Sequence, residues 1–299
     1  MTSDSSGPPE LGAVVVGVDA SPQARAAALW AAAEADRRGR ALHIVHAADT
    51  DRRAILSSGD TLQALRETAR DLLTGTADAV TERFPGLTVT KELSRQEPVA
   101  GLYAAAGRRG TVVVGSRGLG GFGALLLGSV GLGVAARTKV PVVIVRGEAE
   151  RAGTGVITAA VRGASDLDWL AVAAAEAQLR KASLHLLSVC NVLAHVGSVT
   201  TMLDNVGSIA EQRVHEVAAM AEHVRDRCPG LTVTHHVETG TSVPGVLVRA
   251  TAGADLLIMG SRHRMFRAGP SLGRVSHALL HHGQCPVEII PPDYARTTR

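Results

Sequence analysis

Apolar positions along this chain follow two alternating patterns. Short runs are apolar at consecutive positions, as in the VVVGV and VVIV segments near residues 14 and 142. Such runs suit strands buried on both faces. In the first half they predict strands at 13–18, 41–47, 87–93, 111–115 and 141–145. Between them lie longer stretches rich in Ala, Leu, Arg and Glu, such as 23–38 and 59–83, with the composition of strong helix formers. Strand and helix in regular alternation predict a parallel α/β sheet covered by helices on both faces. Ligands of such sheets sit at the carboxyl ends of the strands.

The pattern then repeats. RFPGLTVT at 83–90 recurs as RCPGLTVT at 227–234, and ALHIVH at 41–46 as SLHLLS at 183–188. VVVGSRG at 112–118 recurs as LLIMGSRH at 256–263, and KVPVVIV at 139–145 as CPVEII at 285–290. Order and spacing are kept at an offset near 144 (Arg83 to Arg227). That period is too long for a solenoid, whose units run about 20–50 residues. Two tandem copies of one domain are expected, at 11–147 and 155–291. A charged linker near 147–154 and short polar tails at both ends complete the chain.

Composition narrows the function classes. Of 299 residues, 45% are apolar, and 31 basic side chains stand against 28 acidic ones. A net charge of +3 and only three Phe, two Trp and two Tyr argue against a nucleic-acid-coating protein. Cys190, Cys228 and Cys285 have no CxxC spacing, so neither a zinc site nor a disulfide framework is expected. No apolar run is long enough to span a bilayer, and residues 1–10 lack the apolar core of a signal peptide. A cytoplasmic protein without a membrane partner is expected.

Candidate chemistry gathers in the first copy at 112–130, VVVGSRGLGGFGALLLGSV. A strand ends at Gly115 and Gly118 follows. Gly120, Gly121 and Gly123 enrich the loop, and Gly128-Ser129 open the next helix. Glycines permit positive φ and let the backbone approach a ligand without a Cβ. A helix start offers unpaired N–H groups and a favourable dipole to an anion. Ser129 is expected to cap that helix and to donate its hydroxyl to a phosphate. A mobile loop before a Ser-capped helix is the plain alternative. The segment is neither a Walker A loop nor a GxGxxG fingerprint.

The spacing Gly115-x2-Gly118-x9-Gly128-Ser129 resembles the ATP-binding pattern of universal stress proteins of the UspA family. The first-strand ending VGVDAS at 16–21, with Asp19 at its tip, is similar to the family's start. The resemblance covers both copies. It implies a tandem member in which each domain is a five-stranded parallel sheet of order 3-2-1-4-5. It also implies ATP as ligand, with ADP or AMP as alternatives and Mg²⁺ accompanying the nucleotide. Position by position, Gly115, Gly118, Gly128 and Ser129 match the phosphate and ribose motif, and Val130 follows with a backbone N–H. Asp19 matches the acidic position that bonds a ribose hydroxyl or holds Mg²⁺, and helix capping is its alternative role. Ala47 matches the backbone contact to adenine, and Val114 lines the adenine pocket. Arg117 is placed to reach phosphate or to stay in solvent.

The second copy departs from the pattern. Gly118 corresponds to His263 and Ser129 to Arg274, and aligning the first helices at Glu34 and Glu176 sets Val161 opposite Asp19. This copy is therefore expected not to hold ATP in the same way. Its loop carries Arg262, Arg264, Arg267 and Arg274, a solvated basic face unless an anion joins it. Ten of the twelve histidines lie in the second copy. His277, His281, His282 and Cys285 have partial metal-ligand spacing, but the family's ordinary ending explains the last two, and no metal is expected.

No catalytic constellation such as GxSxG or HExxH is present. The first reading is a nucleotide-responsive regulatory module in stress response. A slow ATPase or phosphotransferase and a nucleotide-independent scaffold are the alternatives. The apolar last strand of the first copy seeks a partner. In the family it joins domains, which implies pairing of the two copies within the chain, with Glu288 interrupting the second copy's strand. A homodimer is a further expectation.

Overall fold

A computed structural model describes residues 11–47, 49, 58–118, 127–146, 153–191, 202–261, 272–292 and 294. The tail at 1–10, most of the expected linker, the loop glycines Gly120, Gly121 and Gly123, and His263 with Arg262, Arg264 and Arg267 lie outside the described residues. The chain forms two compact units. One is Leu11–Arg151, and the other is built mainly from Ala152–Phe266 and Gly273–Arg299.

The N-terminal unit runs β1 (Val14–Gly17), α1 (Pro22–Arg38), β2 (Leu42–Ala47), α2 (Gly59–Arg83), β3 (Val89–Ser94), α3 (Pro98–Ala106), β4 (Thr111–Gly115), α4 (Ser129–Ala136) and β5 (Val142–Val145). All pairings are parallel. β1 pairs with β2 and with β4, β2 with β3, and β4 with β5, so β1 is central. β3 starts two residues later than the apolar run suggests, because the Leu87 N–H closes a turn onto the Phe84 carbonyl.

Helix α1 shows why these elements form. Ser21 caps it by accepting from the Ala24 N–H at 3.1 Å, and Pro22 supplies a fixed φ in the first turn. Gly39 ends it with φ 60°, a left-handed conformation that glycine adopts without strain. Its buried face is Ala24, Ala27, Ala28, Ala31, Ala32 and Ala35, small side chains that let the helix axis lie close over the sheet. Along α2 the buried stripe Ala69, Leu73, Ala77 and Val80 keeps helical spacing and covers the same face.

The C-terminal unit repeats this plan. Its elements are β6 (Val156–Ala160), α5 (Leu167–Leu179), β7 (Ser183–Asn191), α6 (Met202–Arg227), β8 (Val233–Gly240), α7 (Val243–Ala250), β9 (Leu256–Gly260), α8 (Arg274–His282) and β10 (Val287–Ile290). β6 pairs with β7 and β9, β7 with β8, and β9 with β10, again all parallel. Glu288 does not break β10. It is buried within the strand.

Strand register corrects one correspondence between the copies. Val14 pairs with Leu42 and Val113 with Val16 in the first unit, while Ile157 pairs with Leu184 and Ile258 with Ala159 in the second. The Val18 N–H donates to the Val45 carbonyl, and the Val161 N–H to that of Leu187. Val161 therefore takes the place of Val18, and Arg162 takes that of Asp19. The second copy has one residue fewer between this strand and its first helix's glutamate, which hides the match when the helices are aligned.

Candidate functional site

At the carboxyl ends of β1, β2 and β4 the N-terminal unit has a cavity of about 730 Å³. All nine residues singled out from the sequence line it. Asp19 comes from the β1–α1 loop, Ala47 from the end of β2, and Val114 and Gly115 from β4. Arg117 and Gly118 follow β4, and Gly128, Ser129 and Val130 open α4. The loop glycines between them lie outside the described residues.

The three motif glycines act by steric room. None has positive φ. A Cβ on Gly115 would lie 2.7 Å from the Gln23 carbonyl oxygen, so β4 can touch the start of α1 only with glycine there. A Cβ on Gly118 would collide with Oδ2 of Asp19. Gly128, not Ser129, is the N-cap of α4, and no side chain caps the helix. Ser129 stands one position further in. The first-turn N–H groups of Ser129, Val130 and Gly131 therefore have no acceptor within the helix and aim their partial positive charge at the cavity. A hydrogen bond of 2.9 Å from the Gly128 N–H to the Ser116 carbonyl fixes this helix start beside the end of β4.

Asp19 is held in place. Its Oδ1 accepts from the Ser21 N–H at 3.0 Å, and the Ser21 hydroxyl donates to the Arg117 carbonyl at 3.4 Å. The two loops that frame the cavity are thus tied together, with Oδ2 turned towards Gly118. Arg117 adds positive potential on one side. Burial, and then the charge of Arg117, lower the Arg146 pKa from its usual value.

Residues without a sequence signal of their own complete the walls. Gly17 leaves space that a Cβ would take up against Leu102 and Val114, at 3.0–3.2 Å. Leu102 and Pro98 close the α3 side, and Leu127 the α4 side. His46, known from the sequence only as the neighbour of Ala47, also lines the cavity, with Nδ1 donating to the Val18 carbonyl at 2.8 Å. Tyr103 braces the arrangement from behind. Its buried hydroxyl donates to the Val134 carbonyl at 2.5 Å and so joins α3 to α4. Burial pushes the phenol pKa up, which keeps it a neutral donor.

The C-terminal unit builds something else at the matching place. Gly17 is replaced by Ala160, Asp19 by Arg162 and Ser129 by Arg274. Arg162 clasps Asp166 through Nη2 at 2.5 Å and Nε at 3.2 Å, and its own backbone N–H donates to the same fully buried carboxylate at 2.7 Å. Beside Gly260 lies the buried indole of Trp169, whose nitrogen a Cβ at that position would meet at 2.5 Å. His277 and His281 stack on each other with centroids 4.1 Å apart. Among the described residues no group of three His, Cys, Asp or Glu side chains is arranged to hold a metal ion. Cys190, Cys228 and Cys285 are buried and form no disulfide.

Two doubly wound α/β units, one with a glycine-framed cavity at its strand ends, define the class. The universal stress protein family model matches residues 11–146 and again 156–291, and the chain belongs to that family, with two tandem domains. A universal stress protein of Mycolicibacterium smegmatis is 38% identical over 133 residues, 44% of this chain and 45% of that protein. Universal stress protein Rv2005c of Mycobacterium tuberculosis is 31% identical over 138 residues, 46% of each chain. The chain thus matches about half the length of these curated relatives. A universal stress protein structure from Archaeoglobus fulgidus superposes at TM-score 0.68 with 20% identity, covering 93% of this chain and 96% of its own. No helix among the described residues is long and apolar enough to cross a membrane.

Proposed function

We propose that the N-terminal unit binds an adenine nucleotide, ATP with Mg²⁺ first among them, and that the chain is a nucleotide-responsive module. The observation that supports this most is the convergence on one cavity of the α4 amides, Gly118 and Asp19. Together they offer an anion cradle and a carboxylate 3.0 Å from a fixing N–H. In this reading the first-turn amides of α4 and the Ser129 hydroxyl take the phosphates. Asp19 takes a ribose hydroxyl or the phosphate-bound Mg²⁺. The apolar side formed by Val18, Val45, Leu102 and Val114 takes the base, with the Ala47 backbone at its edge. Arg117 favours the more highly charged polyphosphate.

The C-terminal unit does not take nucleotide in this way. Arg162 and Arg274 stand where the carboxylate and the serine would be. Titration calorimetry of the full chain with MgATP should show one saturable site. Gly118→Glu, with circular dichroism unchanged, should remove it. Absence of any heat at millimolar MgATP overturns the proposal. Turnover is a separate reading, favoured by the presence of a carboxylate in the cavity. Rapid multiple turnovers that vanish in Asp19→Ala would make the protein a hydrolase.

A further inference from the structure

Helices α4 and α8 begin alike, with Gly128 and Gly273 as their N-caps, so their positions correspond one for one. Leu132 and Ala136 of the first helix match His277 and His281 of the second. The fold therefore requires no histidine at either place. Leu132 is 42% exposed and His277 is exposed as well, so the exchange falls on an outer face and not in a core. Residues at i and i+4 stand one above the other on a helix. Here the two rings are in contact, stacked with centroids 4.1 Å apart and planes 20° from parallel. Among the described residues no third His, Cys, Asp or Glu side chain is grouped with them.

We infer that His277 and His281 chelate a divalent transition-metal cation, Zn²⁺, Ni²⁺ or Cu²⁺, on the outer face of α8. Imidazole nitrogens suit these ions, whereas Mg²⁺ and Ca²⁺ take oxygen donors. A helix with histidines at i and i+4 can present both to one ion. Each ring must then hold the ion in its own plane, about 2.0–2.1 Å from the nitrogen. Nearly parallel planes do not meet at such a point, so chelation turns the rings out of the stack until their planes converge. The turn is about χ2, a broad torsion in histidine, and it is a low-energy motion on an exposed face. His281 lies in the last turn of α8, where the helix dipole favours a cation. Cys285, the nearest soft donor in sequence, is buried and is not grouped with the pair. Two protein donors leave the remaining coordination positions to water, which makes the site an open one. The inference is independent of nucleotide binding by the first unit.

Titration calorimetry of the full, tag-free chain with Zn²⁺ at pH 7.5 tests this. His277→Leu and His281→Ala carry the residues that the first unit has at these positions, so α8 should keep its fold, which circular dichroism checks. Either variant should weaken the strongest Zn²⁺ site by about tenfold, the scale of coupling between two groups that act as one site. The double variant should weaken it no further. Side-chain NMR should show the ring nitrogens of His277 and His281 shifting together at the same Zn²⁺ concentrations. Absence of Zn²⁺ binding overturns the inference, as does a strongest site that survives the double variant. Losses that add, as from two independent histidines, overturn it too.

Discussion

Gly118 and Asp19 lie against each other at the mouth of the cavity. A side chain at 118 would have to displace the Asp19 carboxylate from its present position. Asp19→Asn keeps an oxygen for the Ser21 N–H but removes the charge. It should weaken MgATP binding in calorimetry by about tenfold, the scale of one lost charge-assisted contact, and change binding of metal-free AMP far less. Equal losses for both ligands would assign Asp19 to ribose rather than to the metal. Gly115→Ala presses on the Gln23 carbonyl, and an overpacked contact of this kind costs about 1–3 kcal/mol. Urea unfolding should show that loss. That Asp19, Gly115, Gly118, Gly128 and Ser129 would share one cavity was readable because glycine spacing and a strand-tip acid are local patterns, while Ala47 and Val114 were reached only through the family resemblance. Leu102 and Leu127 were not readable, since an apolar residue on a helix looks the same whether it faces a core or a cavity. Of the two roles expected of glycine, close approach and not positive φ is the one seen at positions 115 and 118, and there the approach is to other protein atoms.

Among the elements, α1 and α4 carry the most. Glu34 is fully buried on α1 and holds Arg38 through Nε at 2.8 Å and Arg37 at 2.7 Å. Arg38 in turn donates to Thr111 Oγ1 at 2.8 Å, joining the end of α1 to the start of β4. Glu34→Gln leaves a buried guanidinium without its counter-charge and should cost about 3 kcal/mol in urea unfolding. A loss under about 1 kcal/mol would mean that water reaches Arg38. Tyr103→Phe frees the Val134 carbonyl and should loosen α4 without altering the cavity walls. The five strands and the first two helices of the first copy were legible to within two residues, because consecutive apolar runs and helix-forming stretches mark them. The α4 start was misread by one residue, since Ser is a stronger capping signal than Gly, yet here the backbone of Gly128 takes that place.

At the scale of the whole molecule, duplication was plain from repeated segments, while the fate of the second site was only half legible. Loss of the acid could be read from the sequence. Its replacement by Arg162 could not, because one residue is missing between strand and helix and only the strand register restores the match. The chain has two tryptophans, Trp30 in the first unit and the buried Trp169 in the second. In Trp30→Phe, MgATP should leave Trp169 emission unchanged while calorimetry still reports one site. A shift in that emission would show that nucleotide binding reaches the second unit.

The clasp between Arg162 and Asp166 also makes the divergence of the two halves hard to reverse. Arg162→Asp alone would set a new carboxylate against one that is already buried, and Asp166→Asn alone would strand the guanidinium. Either first step lowers stability before any ligand can reward it. Exchanging Arg162 for a carboxylate therefore calls for a compensating change at Asp166.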